Sequence, residues 1–298
     1  MDLNALKMFV LAARSGSLSA AARNNNIPLP TLSRKIAELE RELNSVLLER
    51  NSTGCRLTET GQKLLNYASS AMDILADTEQ AVLTASPRIT GRLRLTIPQS
   101  LEVWWQLISQ FQKAYPGIAV SVHSTERRVD LISEGVDVAL RVGTIADDSV
   151  VIRHLMDFRH MLVASPALFH TTPLPVKPSD LMDYPCAAWG SVIGARPVWM
   201  LGNYAYDVPA ILTVNDYLHL RAGALEGEYI TELPVFFAAD FINKGKLIEL
   251  LPAYPLPYSS LHLVYKRHGH ISASARAYID FCCDNIGLLS AKCLITPS

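Results

Sequence analysis

The sequence lacks any apolar run that approaches the 18 or more residues of a membrane-spanning helix. Its first 25 residues contain Asp2, Lys7, Arg14 and Arg23, and they offer no uninterrupted apolar core of signal-peptide length. Membrane insertion and secretion are therefore not expected, and we predict a cytoplasmic protein without a membrane partner.

Cysteine is scarce and irregularly spaced. The five cysteines are Cys55, Cys186, Cys282, Cys283 and Cys293. Because their number is odd and no CxxC pair occurs, neither a disulfide framework nor a zinc site is expected. We predict reduced thiols and no bound metal.

Catalytic motifs are also absent. The sequence has no HExxH, no P-loop and no GxGxxG, and Gly190-Ser191-Val192-Ile193-Gly194 has its serine misplaced for a GxSxG motif. The eight histidines are scattered along the chain. We therefore expect neither an enzyme nor a cofactor.

Charge is unevenly distributed, although the formal net charge is only -1. Residues 1–66 hold nine Lys/Arg against six Asp/Glu, whereas the remainder holds 18 against 22. A basic N-terminal part on an acidic body favours a nucleic-acid-binding module at the N-terminus.

The first 43 residues have the pattern of three helices that include a helix-turn-helix. Asp2 can cap a first helix that ends at Ser15-Gly16-Ser17, an Ala-rich second helix follows, and Pro28 opens a third that ends at Leu43. The third helix is expected to bury Leu32, Ile36, Leu39 and Leu43. Its short polar and cationic side chains suit a DNA groove.

A wing and a long helix are predicted next. Residues 46–50 and 56–58 can form two short strands, and a helix of about 25 residues is predicted over Glu59–Leu83. Its apolar stripe consists of Leu64, Leu65, Ala68, Ala71, Met72, Leu75, Ala76 and Val82. Since the stripe has no obvious domain to pack on, self-association is favoured, and packing on its own protein is the alternative. Residues 86–91 resemble a hinge.

Strands and helices alternate after Gly91. Strands are predicted at 93–97, 119–123 and 136–142, with helices at about 100–111 and 129–134 between them, which implies a largely parallel sheet. Later strand candidates are 161–164, 211–214 and 262–265. A final helix over about 272–286 is expected to return and cover the first half.

Two sets of residues form a recognisable pattern. The first is Leu6, Phe9, Ser15-Gly16-Ser17, Ala21-Ala22, Ser33, Ile36, Leu39-Glu40, Leu43, Leu47, Arg50, Leu57-Thr58 and Gly61. The second is Gly91-Arg92-Leu93-Arg94-Leu95, Phe111, Tyr115-Pro116, Glu134-Gly135, Asp137-Val138-Ala139, Val163-Ala164-Ser165-Pro166, Gly245 and Leu247. Together they resemble the LysR-type transcriptional regulators over nearly the full length.

The resemblance implies an α/β protein with an N-terminal all-α winged helix-turn-helix over 1–58 and a linker helix used for dimerisation over 59–88. It implies a periplasmic-binding-protein-like effector domain over 89–298, with subdomain I over about 91–163 and 267–298 and subdomain II over about 164–266. The implied partners are double-stranded promoter DNA, a small-molecule effector, further copies of the chain in a dimer or tetramer, and RNA polymerase.

Some positions depart from the family pattern. Pro28 and Leu29 stand where Ser and Gln usually open the recognition helix, so a bidentate adenine contact is lost at Leu29. Asn44 replaces a usual Gly. Glu228 and Glu232 replace a Gly and an apolar residue, which leaves the backbone and chemistry of that segment open.

Nine residues are expected at the DNA. Thr31, Arg34 and Lys35 are expected to face the groove, with Leu29 and Pro30 as apolar contacts. Ser17, Ser33, Arg50 and Arg56 are expected to hold phosphates. Phosphate contacts supply salt-dependent affinity, while Arg34 and Thr31 can discriminate bases.

Seven residues are expected around an effector, in the crevice at the carboxyl ends of parallel strands. They are Ser100, Thr125, Arg141 and Gly143 from subdomain I, and Trp189, Asn215 and Asp216 from subdomain II. Ser100 opens a helix and offers an anion-binding site, so a carboxylate or aromatic acid is the favoured effector. The alternatives are a plain helix cap for Ser100 and a structural ion pair with Asp137 for Arg141.

Two other functions stay open at this point. A thiol redox sensor on the same scaffold would use Cys186 or the adjacent Cys282-Cys283. A solute-binding protein has the same two-lobed sensor, but it would need a signal peptide and would not carry the first 90 residues.

Overall fold

The computed structural model describes residues 1–51, 54–83, 89–99, 101–127, 130–131, 134–267 and 271–295. Within these ranges no helix is long and apolar enough to cross a membrane.

The N-terminal module has the predicted helices and wing. Its elements are α1 (Leu3–Ser15), α2 (Leu18–Asn24), α3 (Leu29–Glu42), β1 (Leu48–Asn51) and β2 (Gly54–Leu57). The Asp2 carboxylate caps α1 by accepting from the Asn4 amide at 2.8 Å, and Gly16 ends the helix in the left-handed conformation at φ 62°. β1 and β2 pair antiparallel as the predicted wing.

The module's core consists of α1, α3 and the strand that follows them. Phe9, Leu32, Ile36 and Leu39 are fully buried, as the helical spacing predicted. The expectation of a buried Leu43 was wrong, because α3 ends at Glu42 and Leu43 is 37% exposed. The chain turns directly afterwards at Asn44, whose φ of 46° explains why a Gly is usual there.

The long helix α4 (Glu59–Leu83) has the predicted bounds. The first half of its stripe packs on the N-terminal module: Ala68 belongs to that core, and Leu64, Leu65 and Met72 pack against it. The expectation that this half had nothing to pack on was wrong, since a helix that starts directly after the wing lies against α1. Leu75, further along, is 41% exposed.

The remaining elements form the effector domain. Its helices are α5 (Trp105–Ala114), α6 (Tyr217–Glu226), α7 (Val235–Asn243), α8 (Ala273–Asn285) and α9 (Gly287–Ser290). Its strands are β3 (Gly91–Ile97), β4 (Ile118–Ser124), β5 (Val138–Val142), β6 (Val150–Ala164), β7 (Cys186–Trp189), β8 (Val198–Leu201), β9 (Tyr204–Asp207), β10 (Ala210–Val214), β11 (Ile230–Pro234), β12 (Ile248–Leu250) and β13 (Tyr258–Lys266). Short 3-10 helices lie at Glu102–Trp104, Pro166–Phe169, Pro178–Asp183 and Ala291–Cys293.

Two sheets share one strand. The spatial order is β4-β3-β5-β13-β6-β11-β7-β10, and β12 pairs with the end of β6. β4, β3 and β5 are parallel, as predicted, and β10, β7 and β11 form a second parallel set. β6 and β13 run antiparallel to their neighbours. The carboxyl ends of both parallel sets therefore meet along the line where the sheets join.

The returning helix covers the first sheet, as predicted. The Trp104 indole N–H donates to the Tyr278 hydroxyl of α8 at 2.8 Å, and the Phe111 ring meets Tyr278 edge-on at 5.1 Å. Both contacts lie in the buried layer that joins α5 and α8.

The boundary placed at 266 needs a correction. β13 pairs with β5 through five consecutive residues, so it belongs to the sheet of subdomain I and not to subdomain II. A long antiparallel strand can return across a sheet without a helical crossover, and the sequence carries no signal for that return. Residues 86–88 of the predicted hinge, and 129, 132 and 133 of the predicted helix, lie outside the described ranges.

We predict that Gly61→Ala destabilises the N-terminal module. A Cβ at this position would lie 2.1 Å from the carbonyl oxygen of Leu47, the residue before β1. The start of α4 therefore has to move away from the start of the wing. We expect a loss of about 1–3 kcal/mol, visible as a lower thermal unfolding midpoint. Gly287→Ala is the matched control, because its Cβ would meet no atom within 4 Å. Equal midpoints for the two variants would contradict the packing.

Candidate nucleic-acid interface and effector cleft

The outer face of α3 is the exposed part of the helix-turn-helix. Leu29 is 41% exposed, Pro30 is exposed, and the Arg34 side chain is 69% exposed with only a 3.9 Å approach to Glu38. Thr31 and Ser33 are half-buried on either side of this face. The helix begins at two prolines without a side-chain cap, so its first amide groups stay available to an anion.

Lys35 has a different position from the one expected. Its ammonium lies 2.8 Å from an Asp2 oxygen and 3.3 Å from a Glu38 oxygen. The hydrogen bond to Asp2 raises the pKa of Lys35 and lowers the pKa of Asp2. Lys35 thus joins α3 to the start of α1, and its assignment to the groove is corrected, because residue spacing alone cannot show a partner 33 positions away.

The phosphate candidates frame the exposed face. Ser17 caps α2 by accepting from the Ala20 amide at 3.4 Å, which leaves its hydroxyl hydrogen available as a donor. Arg56 is exposed on β2, directly across the wing from Glu49. Arg50 pairs with Cys55 through its backbone, and its side chain is outside the described part of the chain.

The effector candidates meet where the two parallel strand sets end. Thr125 follows β4, Arg141 and Gly143 end β5, and Trp189 ends β7. Asn215 and Asp216 join β10 to α6, where the Asp216 carboxylate caps the helix. Ser100 lies outside the described residues. That these residues of both subdomains contact one effector stays a prediction.

A cavity of about 530 Å³ opens on the subdomain I side of the cleft. Thr125, Glu126 and Arg141 line it. Arg141 does not pair with Asp137, whose two oxygens bind Arg94 at 2.9 Å each. The pairing of Arg141 with Asp137 was therefore wrong, whereas the charges of Glu126 and Glu134 act on the guanidinium, which lies beside the cavity.

Glu126 is a cleft residue that the sequence did not single out. Its Oε1 accepts from the Gln99 amide at 2.8 Å, which ties the ends of β3 and β4 together. Partial burial raises the pKa of Glu126, and the charge of Asp216 across the cleft raises it further, against the Gln99 hydrogen bond and the charge of Arg141. The sequence signal that could have identified Glu126 is an acidic residue shortly after a predicted strand.

The subdomain II wall of the cleft is aromatic. The Trp189 and Tyr217 rings stack at 6.1 Å and 18°, and the His160 ring lies 5.9 Å from Tyr217. Burial lowers the pKa of His160 to about 4, so this imidazole is neutral at pH 7. These rings are thus flat and uncharged, and Asp216 adds a negative charge on the same side of the cleft.

Glu232 lies buried behind that wall. It accepts from the Trp189 amide at 2.8 Å and from the Trp199 indole N–H at 2.5 Å. Burial raises the pKa of Glu232 to about 7, although these hydrogen bonds favour its charged form. The backbone around it is a regular strand, β11, so the unusual residue serves to join β7 and β8 to β11.

A charged contact joins the two subdomains beside the start of α5. An Arg221 nitrogen on α6 lies 2.5 Å from a Glu102 oxygen, and the Arg221 guanidinium sits over the Phe237 and Phe241 rings at 5.8 and 5.2 Å. The two residues are 119 positions apart in the sequence, so no local pattern predicts their contact. The contact holds the entry of α5 against α6.

The cysteines do not have the properties of thiolate sensors. Burial raises the pKa of Cys186 and of Cys282 to about 12, so both are protonated at neutral pH. All five cysteines are free. Over the described ranges, no group of three His, Cys, Asp or Glu can hold a metal ion.

An exposed recognition helix with a wing, joined by a helix to a two-lobed domain with a cleft, defines a ligand-sensing DNA-binding regulator. Residues 3–62 match the bacterial regulatory helix-turn-helix protein, lysR family, and residues 87–286 match the LysR substrate binding domain. The chain therefore belongs to the LysR-type transcriptional regulators, which are DNA-binding proteins and not enzymes.

Similar proteins match this chain over nearly its full length. An HTH-type transcriptional regulator of Xanthomonas campestris pv. campestris (strain 8004) is 31% identical over 291 residues, which cover 94% of this chain and 84% of that protein. The structure of CrgA, a LysR-type transcriptional regulator from Neisseria meningitidis, matches with a TM-score of 0.63 at 27% identity over 96% of this chain and 99% of that one. Full-length AphB, a virulence activator of Vibrio cholerae, matches with a TM-score of 0.60 at 25% identity over 95% and 99%.

We predict that Glu232 makes stability depend on pH. Its pKa is about 7 in the folded chain against an ordinary 4.5, so the folded state keeps a proton that the unfolded state has released. Stability therefore falls as pH rises from about 4.5 through about 7, by on the order of 3 kcal/mol in all. Glu232→Gln stays neutral and removes this loss.

Thermal unfolding at a series of pH values measures the effect. The midpoint of the wild type, relative to that of Glu232→Gln, should decrease between about pH 5 and about pH 8. The exposed Glu226→Gln is the control, and its difference from wild type should not follow this trend. If the difference in midpoint between the wild type and Glu232→Gln were constant with pH, the Glu232 carboxyl would have an ordinary pKa.

Proposed function

We propose that this regulator binds promoter DNA as a homodimer or homotetramer and adjusts transcription in response to a small-molecule effector held in its cleft. The observation that carries the proposal is the exposed face of Leu29, Pro30 and Arg34 on α3, beside the wing. Contact with RNA polymerase and a cytoplasmic location belong to the same proposal.

The α3 face supports a division of tasks at the DNA. Arg34 is an exposed cation in the first half of this helix, so it is suited to a guanine edge or a phosphate in the major groove. Leu29 and Pro30 can make apolar contact with a thymine methyl group. Ser17, Ser33, Arg50 and Arg56 are proposed for phosphates, and Thr31 for a base edge, whereas Lys35 positions α3.

The second half of α4 supports pairing of two chains. Leu75 in this half is 41% exposed, and Tyr67 is 56% exposed in the first half, where the helix packs on its own module through Ala68. A helix that leaves apolar side chains in water beyond its docked half gains from a second copy. Pairing places two α3 helices on neighbouring half-sites, which multiplies a weak single contact.

The cleft supports effector binding between the subdomains. Thr125, Arg141 and Gly143 lie at the carboxyl ends of β4 and β5, and Trp189, Asn215 and Asp216 lie at those of β7 and β10. Ser100 is proposed at the entry of the following helix. A carboxylate on the effector would pair with Arg141. Because an effector touches both subdomains, its binding can change their relative position and so the spacing of the paired α3 helices.

We predict that Arg34→Ala weakens operator binding by about 10–100-fold, because a base or phosphate contact is worth about 1–3 kcal/mol. Genome-wide footprinting supplies the operator, and a gel-shift titration at fixed salt measures the affinity. The exposed Lys113→Ala in α5 is the charge-matched control. The thermal midpoint of both variants should equal that of wild type. Equal affinities for the two variants would refute the placement of Arg34.

We predict that Leu75→Asp lowers the oligomeric state. A carboxylate in the apolar seam of α4 has to be desolvated without a partner, so the pairing of chains should weaken at micromolar concentration. Light scattering after size exclusion measures the mass. Val176→Asp, at a side chain that is 78% exposed outside α4, is the control and should keep the wild-type mass. An unchanged mass for Leu75→Asp would exclude this part of α4 from the interface.

A further inference from the structure

The cleft holds opposite charges side by side. Glu126 and Arg141 line the same cavity, and the charge of each affects the pKa of the other. The cavity's volume of about 530 Å³ falls in the range of small-molecule pockets, roughly 300–1,000 Å³. A pocket of this size with an acid and a base at one wall fits a ligand that carries both charges.

Arg141 has a donor to offer. Its Nη1 donates to the Leu140 carbonyl at 3.0 Å, whereas Nη2 is buried and has no hydrogen-bond partner among the described residues. A buried donor without an acceptor is costly, and a charged one especially so. A carboxylate is the acceptor that a guanidinium binds best.

Glu126 requires a positively charged partner, whereas Arg141 requires an acceptor. The Gln99 amide satisfies one of its oxygens, and the charge of Asp216 adds negative potential from the other side of the cleft. Asp216 already caps α6 and meets the His219 ring at 3.3 Å, so it contributes charge and not a vacant oxygen. An ammonium group beside Glu126 would offset the repulsion between the two carboxylates as the cleft closes.

The rings of Trp189 and Tyr217 are not among the residues that line this cavity, but Tyr217 lies close enough to Glu126 for the Glu126 charge to add to the burial that raises the pKa of Tyr217. The two rings stack on each other and His160 is neutral, so these three side chains carry no charge, whereas Asp216, directly before Tyr217, is charged. A flat apolar or aromatic group would bury its faces against these rings.

We propose that the effector is an α-amino acid or a close zwitterionic relative with a flat side chain. Its carboxylate binds Arg141, its ammonium binds Glu126, and its side chain lies on Trp189 and Tyr217. This inference rests on the proposed function of the cleft and adds the ammonium to the expected carboxylate. A plain acid leaves Glu126 unpaired, and a plain amine leaves Arg141 unpaired.

Three matched sets of probes test the proposal on the full-length protein. The zwitterions are L-phenylalanine, L-tyrosine, L-tryptophan and L-histidine; the second set lacks the α-amino group, and the third lacks the carboxyl group. Thermal shift and calorimetry measure binding. We expect one zwitterion to bind at least about tenfold more tightly than its acid and its amine, since each lost charge-assisted contact is worth that much.

Two variants separate the contacts. Glu126→Gln keeps an acceptor for the Gln99 amide and should weaken the zwitterion and the amine about tenfold while leaving the acid unchanged. Arg141→Met should weaken the zwitterion and the acid and leave the amine unchanged. The exposed Asp284→Asn on α8 is the control for loss of one negative charge and should leave all three sets unchanged.

Several outcomes overturn the proposal. They are an acid that binds as tightly as its zwitterion, a zwitterion whose affinity Glu126→Gln does not change, and the absence of binding by every probe. None of these results alters operator binding by the protein without effector, so the gel-shift titration tests the regulator function separately.

Discussion

One strand, β6, belongs to both sheets of the effector domain, and the cleft depends on it. Its residues 150–159 run along β13 in the first sheet, and its residues 160–163 pair with β11 in the second. A continuous strand of 15 residues fixes the two sheets edge to edge. The parallel strands on either side therefore end at the same line, where residues that are far apart in the sequence become neighbours.

The linker helix α4 touches both functional parts within one turn. The Arg14 guanidinium of α1 donates to the Ser69 hydroxyl at 3.2 Å. On the other side, a Cβ at Gly135 would lie 3.2 Å from the Asn66 Cβ, so subdomain I approaches the helix closely. A change in subdomain I can therefore reach the helix-turn-helix through the segment of α4 that starts at Asn66. Rigid elements in direct contact are the physical basis for such coupling.

Local signals in the sequence predicted the elements well, whereas pairings between distant residues were not predictable. The cap at Asp2, the stop at Gly16 and the bounds of α4 follow from residues within a few positions of each other. The contact of Lys35 with Asp2 and that of Arg221 with Glu102 require the tertiary structure. The effector candidates were chosen because parallel strand ends must meet, and Glu126 was not among them because a solvated surface is the usual place for an acid after a strand.

The entry of α3 shows what a departure from a family pattern does physically. Pro30 presets a helical φ in the first turn of a helix that has no side-chain cap. Pro28 precedes it as the N-cap with a ψ of 127°, so the helix starts at Leu29. Leu29 exposes an apolar side chain where a Gln would offer two hydrogen bonds, and one bidentate pair carries about 1–3 kcal/mol of discrimination. With fewer base-edge hydrogen bonds per copy, affinity depends more on phosphate contacts and on joining two copies. The length of α4 and the exposure of Leu75 then bear on DNA binding as much as on assembly, since we propose that α4 joins the second copy.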